Sequence, residues 1–300
     1  MIREPMTTQP TPPSDTATVA VVTVSYGSER VLGPFLDSLA GASQLPLRVV
    51  VADNKPASDT GDVATLATES GALYHPMPSN RGYGHAVNQV VKALPKEIQW
   101  VVISNPDVTA HAGAIDTLLA TAQTDPRVAA VGPKILSPSG ETYPSARTVP
   151  SIRSGIGHAL FANIWPGNPW TSHYRRDAET TESVRDAGWL SGAFLMVRRS
   201  VLDQLGGFDE NYFMYFEDVD LGYRIGKLGL RNVYQPAASV VHSGAHATQA
   251  ESARMIRAHH DSAKRFLFKQ YPGPLFWPVR VALAAGLGIR ARIAERRSPA

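Results

Sequence analysis

The sequence predicts an α/β fold, a mostly parallel sheet flanked by helices, with a helical appendage at its C-terminal end. Three observations lead there. Residues 19–25, 47–52 and 100–104 are continuous apolar, largely β-branched runs, the pattern of strands buried on both faces. Segments with helical spacing separate them, and such alternation implies parallel pairing through covered crossovers. Each run ends on polar residues: Ser25-Tyr26, Asp53-Asn54 and Asn105-Pro106-Asp107. Ligands on parallel sheets bind outside the carboxyl ends of the strands, so three polar groups at equivalent places mark a site.

The elements follow in order. Strand 19–25 leads to a helix over 29–39. Strand 47–52 leads to a helix over 60–69 and a short strand at 72–75. A helix over 83–94 precedes the third core strand at 100–104, and residues 113–122 are again helical. After Val128 the rhythm breaks. Residues 128–132 and 189–198 read as strands around a Pro-, Trp- and Gly-rich stretch at 144–188. Long irregular segments in compact domains tend to be lids or binding loops. An acidic helix start at 217 follows, then strands at 231–234 and 239–242. Residues 249–271 form one long helix. Residues 276–296 form another, apolar on one side and arginine-rich on the other. There is no internal repeat. The expected organisation is a disordered tail over 1–18, a main domain over 19–245 and basic amphipathic helices over 246–300.

Three hundred residues with 43% hydrophobic content suit one large domain with a real core. The net charge of +3 is unevenly spread. Residues 254–297 hold ten basic and two acidic side chains, a net +8, which leaves −5 for the rest. A basic end on a mildly acidic body suggests an anionic surface as partner. The absence of cysteine excludes disulfides, thiolate zinc sites and cysteine nucleophiles, and fits the cytoplasm. The Pro-, Thr- and Ser-rich start has no apolar core of a signal peptide. The longest apolar candidate, 274–289, is shorter than the ~20 residues a membrane span needs and contains Arg280.

The densest chemistry lies in Tyr-Phe-Met-Tyr-Phe-Glu-Asp-Val-Asp-Leu-Gly-Tyr-Arg, residues 212–224. Glu217, Asp218 and Asp220 directly follow an aromatic run. Acids in a first helical turn gain from the helix dipole, which accounts for one or two of them. Three against apolar surface also suit a general base and its support at a cleft floor. Asp53 reads either as half of an Asp-Asn turn or as an acceptor for a nucleobase imide N–H. Asn80 to Asn88 approaches G-x-G-x-x-G but has Val87 at the third glycine, so the dinucleotide fingerprint fails. It reads as a plain helix start or as a phosphate-binding one, with Arg81, the Gly82 backbone and Asn88 as contacts. Asp107 is either an Asx turn or an oxygen ligand for Mg²⁺ or Mn²⁺. His242 then becomes a candidate further ligand, and His246 a weaker one. No metalloprotease helix, P-loop lysine motif or serine-hydrolase elbow is present. Nor does any nucleic-acid recognition motif accompany the basic tail.

Taken together, Val-Val-Thr-Val-Ser-Tyr, Val-Val-Ala-Asp-Asn, the Asn80 to Asn88 segment, Asn-Pro-Asp, Trp-Leu-Ser-Gly-Ala, Gly-Gly-Phe-Asp-Glu and the glutamate-aspartate motif resemble family-2 glycosyltransferases of the GT-A fold. The match spans roughly residues 19–243. Tyr143 to Arg147, Trp165 to Thr171 and the aromatic-rich acidic motif resemble the rhamnosyltransferase branch that builds the actinobacterial cell-wall (arabinogalactan) linker. The resemblance implies a Rossmann-like GT-A sheet and an inverting hexosyltransferase. It implies dTDP-rhamnose as donor and a polyprenyl-diphosphate-linked N-acetylglucosamine as acceptor. By position, Ser25, Tyr26, Asp53, Arg81, Gly82, Asn88 and Asn105 would bind the donor nucleotide. Asp107 and His242 would hold the cation, and Trp189, Ser191 and Gly192 would line the acceptor side. Asp218 would be the base, supported by Glu217. Asn105 departs from the aspartate many members carry there. A transferase using another nucleotide sugar keeps the same fold, and a silent nucleotide- or glycan-binding module would not need both Asp107 and Asp218. A lipid-linked acceptor would give the basic tail a role, either as a cationic amphipathic helix on the inner face of the plasma membrane or as a packing helix with a solvated face.

Overall fold

The computed structural model describes residues 17–55, 61–150, 182–244, 252–278 and 280–281. The first half alternates: β1 (Val19–Ser25), α1 (Glu29–Ala42), β2 (Leu47–Asp53), α2 (Gly61–Glu69), β3 (Leu73–Pro76), α3 (Tyr83–Ala93), β4 (Trp100–Ser104), β5 (Val108–Ala110) and α4 (Ala114–Ala122). Then come β6 (Val128–Leu136), β7 (Thr142–Tyr143), β8 (Ala146–Arg147), β9 (Arg185–Ala187), β10 (Trp189–Leu190), β11 (Phe194–Arg198), α5 (Arg199–Leu205), α6 (Glu217–Lys227), β12 (Arg231–His242) and α7 (Ser252–Gln270).

The main sheet runs β3-β2-β1-β4-β11-β6-β12-β5. Its first four strands are parallel, with Ser25 beside Asp53 and Thr23 beside Ser104. β11 enters antiparallel between β4 and β6, and β6 and β12 are again parallel. Every residue of β1 and of β4 is buried, as their β-branched runs require. Helices cover both faces. Leu32, Phe35 and Leu39 of α1 pack with Ile115 and Leu118 of α4 on one side. Val87 and Val90 of α3, Leu202 of α5 and Ile225 of α6 pack on the other. Helical spacing on each helix thus meets one sheet face.

The first-half elements lie where the pattern places them. Later ones differ. The strand expected over 189–198 is two pieces: β10 pairs with β8 in a separate ribbon, and a turn at 191–193 leads into β11. The two expected strands at 231–234 and 239–242 are one, β12, with an irregular register between Gln235 and Ser239 around Pro236. Proline gives no ladder hydrogen bond, so the sequence pattern breaks where the strand does not. β6 extends four residues beyond its expected end, and β5 and α5 were not anticipated.

The largest difference concerns α7, expected as part of an appendage. Its Phe266 is fully buried, with ring centroids 5.8 Å from Phe216 and 5.7 Å from Tyr223. Ser262 Oγ donates to the Met214 carbonyl at 2.9 Å, and Lys269 Nζ to Asp209 at 2.9 Å. The expected boundary at 245/246 therefore does not separate this helix from the main domain. The second expected helix, 276–296, is preceded and overlapped at Phe276 by a 3-10 turn, Pro274–Phe276, and its residues 279 and 282–296 lie outside the described residues. So do residues 1–16, Trp165 to Thr171 and His246. No helix among the described residues is long and apolar enough to cross a membrane.

Candidate active site

The sheet brings the expected residues to one edge. Ser25 and Asp53 end neighbouring strands. Asn105 and Asp107 follow β4, one strand over, and the Asn105 amide donates to the Ala193 carbonyl at 2.9 Å. That contact carries the line on to Gly192 and the start of α6. At the far end, His242 of β12 pairs in register with Val108.

α6 starts in an unusual way. Tyr215 and Phe216 both take left-handed backbone angles, φ 67° and 66°. Such non-glycine residues cost about 1–3 kcal/mol each and persist only where surroundings hold them. Here α7 holds them: His259 lies 5.5 Å from each ring, and Phe266 backs Phe216. The double turn swings the chain so that Glu217 and Asp218 open the helix against the Gly192 loop.

The three acids then have separate fates. Asp218 accepts the Gly192 amide at 2.9 Å on Oδ2 and the Val219 amide at 2.8 Å on Oδ1. A Cβ on Gly192 would lie 3.4 Å from that of Asp218, an ordinary contact that shows how closely the loop and the acid approach. Burial raises the Asp218 carboxyl, and these amides pull it back down. A carboxylate has about four acceptor positions, so two amides leave room for a substrate hydroxyl. Glu217 is buried with Oε2 unpartnered. Burial first, and the Asp218 charge second, push it up to about 8. The two carboxyls titrate as a pair, and burial together with their mutual repulsion favours keeping a proton on Glu217. Asp220 is fully buried and serves packing: Arg224 binds it at 2.6 Å, and Lys269 Nζ lies 2.7 Å from its other oxygen.

Tyr83, which sequence reasoning missed, stands at the centre. Its hydroxyl donates to the Gly192 carbonyl at 3.3 Å. Burial, then the charges of Glu217, Asp218 and Asp107, hold the phenol well above its usual range. A tyrosine at a helix start carries no local signal of such company; only the tertiary fold supplies it.

Asp107 and His242 converge. His242 Nε2 is 3.1 Å from Asp107 Oδ1 and 3.3 Å from Asn105 Nδ2. One ring nitrogen cannot give a proton to the carboxylate and take one from the amide at once. A carboxylate and an imidazole lone pair converging at two strand ends are a donor set for a divalent cation, so the residues fit the expected Mg²⁺ or Mn²⁺. No group of three such ligands occurs among the described residues. The remaining positions would fall to diphosphate oxygens and water, the usual habit of Mg²⁺.

The donor side is mixed. Asp53 is fully buried; its oxygens accept the Lys55 amide at 3.0 Å and the Tyr74 hydroxyl at 3.2 Å. Burial raises it, against those two bonds. Tyr74, next to it on β3, was also missed. Ser25 is buried with its hydroxyl unpartnered, while Tyr26 is half exposed.

Two expectations are corrected. Asn88 turns its side chain to the protein's own groups. It is buried in α3, its Oδ1 takes the Phe208 amide, and its Nδ2 serves the Phe208 carbonyl and Glu210. Both donors and the acceptor are thereby committed. The Asn80 to Asn88 segment is likewise no open phosphate cradle. The Gly82 amide is bound by Asn80 and the Tyr83 amide by the Phe213 carbonyl. Gly82, at φ +104°, is glycine because a Cβ would lie 2.4 Å from that carbonyl, and Gly84 because Phe208 presses on it. The glycines seat the loop before α6. Arg81 is exposed, 3.9 Å from Glu210. Trp189 also departs from a simple acceptor-lining role: its indole donates to the Thr148 carbonyl at 3.1 Å, and its Cβ packs on Gly222 of α6. Ser191 Oγ accepts the Ala193 amide at 3.3 Å and shapes the turn that aims Gly192.

This fold and this acidic edge define a glycosyltransferase, and the chain belongs to glycosyltransferase family 2. The family model described as glycosyltransferase like family 2 matches residues 15–260. An N-acetylglucosaminyl-diphospho-decaprenol L-rhamnosyltransferase of Mycobacterium tuberculosis is 43% identical over 296 residues, covering 94% of this chain and 96% of that protein. The rhamnosyltransferase WbbL of Escherichia coli K12 is 26% identical over 263 residues, covering 84% of this chain and 93% of that one. Among solved structures, the mannosyltransferase PcManGT of Pyrobaculum calidifontis, in complex with GDP-Man and Mn²⁺, superposes with a TM-score of 0.55 at 22% identity. It covers 98% of this chain and 76% of that one. That likeness supports the GT-A-like fold.

Proposed function

We propose that this enzyme transfers L-rhamnose from dTDP-rhamnose to N-acetylglucosamine on a polyprenyl diphosphate, with inversion. The observation that carries this reading is the near full-length 43% identity to the mycobacterial enzyme of that acceptor. The site supports a single displacement. Asp218, held by two amides, takes the proton from the acceptor hydroxyl as its oxygen forms the new glycosidic bond. The anomeric carbon's bond to the diphosphate breaks on the opposite face, so a β-L-rhamnosyl nucleotide gives an α-linkage. Glu217, raised by burial and by the Asp218 charge, favours holding the pair's proton, which leaves Asp218 the better placed to accept one from the acceptor. Tyr83 fixes the Gly192 loop that holds the base. Asp53 is the acceptor offered to the base imide. Asp107 and His242 would hold Mg²⁺ or Mn²⁺, which when bound offsets the charge of the departing diphosphate.

A lipid-linked acceptor calls for membrane proximity. The net +8 of residues 254–297 and the exposed Leu275, Phe276 and Trp277 beside α7 support peripheral binding to anionic lipid on the cytoplasmic face. The donor is tested by a thermal-shift panel of dTDP-rhamnose, UDP-sugars and GDP-sugars, each with Mn²⁺, Mg²⁺ or chelator. A ligand at ~100 times its dissociation constant adds about 2.7 kcal/mol of stability. The reading expects the largest shift with dTDP-rhamnose. A larger shift with a UDP- or GDP-sugar would replace the donor.

A further inference from the structure

The two carboxyls at the start of α6 follow a segment that another helix, α7, holds in place. Four residues of α7 grip the chain on both sides of them. Ser262 Oγ donates to the carbonyl of Met214, directly before the two left-handed residues. His259 meets the rings of both Tyr215 and Phe216. Phe266 is fully buried between Phe216 and Tyr223, on either side of the acids in sequence. Lys269 Nζ spans Asp209 at 2.9 Å and Asp220 at 2.7 Å. Asp220 is two residues beyond Asp218 and has no exposed surface. Its second oxygen binds Arg224, which donates onward to the carbonyls of Leu205 at 3.1 Å and Gly207 at 2.8 Å.

The chain of contacts has a mechanical meaning. A left-handed pair of aromatic residues is strained and relaxes unless held. Were it to relax, the first turn of α6 would rotate, and Asp218 would leave the Gly192 amide. Asp220 fixes the same turn from the other side. A buried carboxylate left with one cation in place of two is undercompensated, so removing Lys269 loosens that anchor.

We propose that α7 is a strap that sets the aim of the base, and that Lys269, through Asp220, is a positioning residue for glycosyl transfer. The inference rests on the reading of Asp218 as the base. It makes transfer sensitive to Lys269, which reaches the base only through Asp220 and the turn that carries both acids. Misplacing a reacting group by about 1 Å can cost ~10²-fold in rate.

The test measures kcat and KM of Lys269→Met and Lys269→Arg with the full chain, at a temperature where far-UV circular dichroism shows both folded. The expected result is a kcat lowered at least ~10-fold in Lys269→Met, donor KM within about twofold of wild type, and most of the rate restored in Lys269→Arg. Wild-type kcat in folded Lys269→Met would overturn the proposal. So would a parallel loss of kcat and donor affinity that arginine does not restore, since that is general destabilisation. If Lys269→Met does not fold, Ser262→Ala is read in the same way: it removes only the bond to Met214, and a kcat equal to wild type would overturn the strap. Asp218→Asn assayed alongside separates the two ideas. An active Asp218→Asn removes the reading of the base, whatever Lys269 does.

Discussion

Glu217→Gln isolates the electrostatics of the acidic pair. In the folded protein Glu217 is pushed up to about 8 from an ordinary value of 4.5, by burial and then by Asp218. Between those values the native state keeps a proton that the unfolded chain releases. Stability changes with pH as 2.303RT times the protons bound unfolded minus those bound folded, so the slope from this group is negative. Its contribution is whole below about pH 4.5 and is lost as pH rises through about 8. One proton corresponds to about 1.4 kcal/mol per pH unit, or roughly 3 kcal/mol at most between pH 5.5 and 7.5. Glutamine has the shape of the protonated acid and no proton to lose. Urea denaturation of wild type and Glu217→Gln at half-unit steps from pH 5 to 8.5 gives the difference directly, because other titrating groups cancel. The variant should gain on wild type steadily as pH rises. Parallel curves would mean Glu217 ionises normally, and the view of a neutral glutamate beside a charged base would fall.

Three further outcomes follow from the geometry. Asp107→Ala should weaken dTDP binding in calorimetry with Mn²⁺ present and leave it unchanged in chelator; equal loss in both would mean Asp107 meets the nucleotide itself. Asn88→Ala orphans buried groups of Phe208 and should cost roughly 1–3 kcal/mol for each one left unpaired, with dTDP affinity of the folded protein within about threefold of wild type. A tenfold affinity loss at full stability would restore Asn88 to the nucleotide site. Gly82→Ala, strained at φ +104° and meeting the Phe213 carbonyl, should lose at least about 2 kcal/mol in thermal or chemical denaturation, and a loss under about 0.5 kcal/mol would contradict the close approach.

The parallel half of the sheet was legible because its strands are buried on both faces and read as unbroken apolar runs. The polar strand ends at Asp53, Asn105 and Asp107 were legible for the same reason: a polar residue ending such a run stands out. Asp218 stood out as acid against aromatics. Other features depend on partners far away in sequence. Asn88 looked like a phosphate contact because glycines surround it, yet those glycines make room for Phe213 and Phe208. Tyr83 and Tyr74 join this cluster only through neighbours more than twenty residues away or on another strand. Pro236 divided β12 in the sequence pattern because a missing donor resembles a strand end. The basic character of the tail suggested either a lipid-facing helix or a packing helix with a solvated cationic face. Lys269 instead meets two acids of the body, and Arg265 lies over the Tyr212 ring.

The central claim is that Asp218 deprotonates the acceptor in rhamnosyl transfer from dTDP-rhamnose. It is tested most directly by incubating wild type and Asp218→Asn with dTDP-β-L-rhamnose and a short-chain polyprenyl-diphosphate N-acetylglucosamine, and following the product by mass spectrometry and anomeric NMR. The account predicts an α-L-rhamnosyl product from wild type, a rate about 10²–10⁴-fold lower in Asp218→Asn, and unchanged donor affinity in the variant. Retention of more than about a tenth of the rate in Asp218→Asn, or a β-linked product, would contradict it.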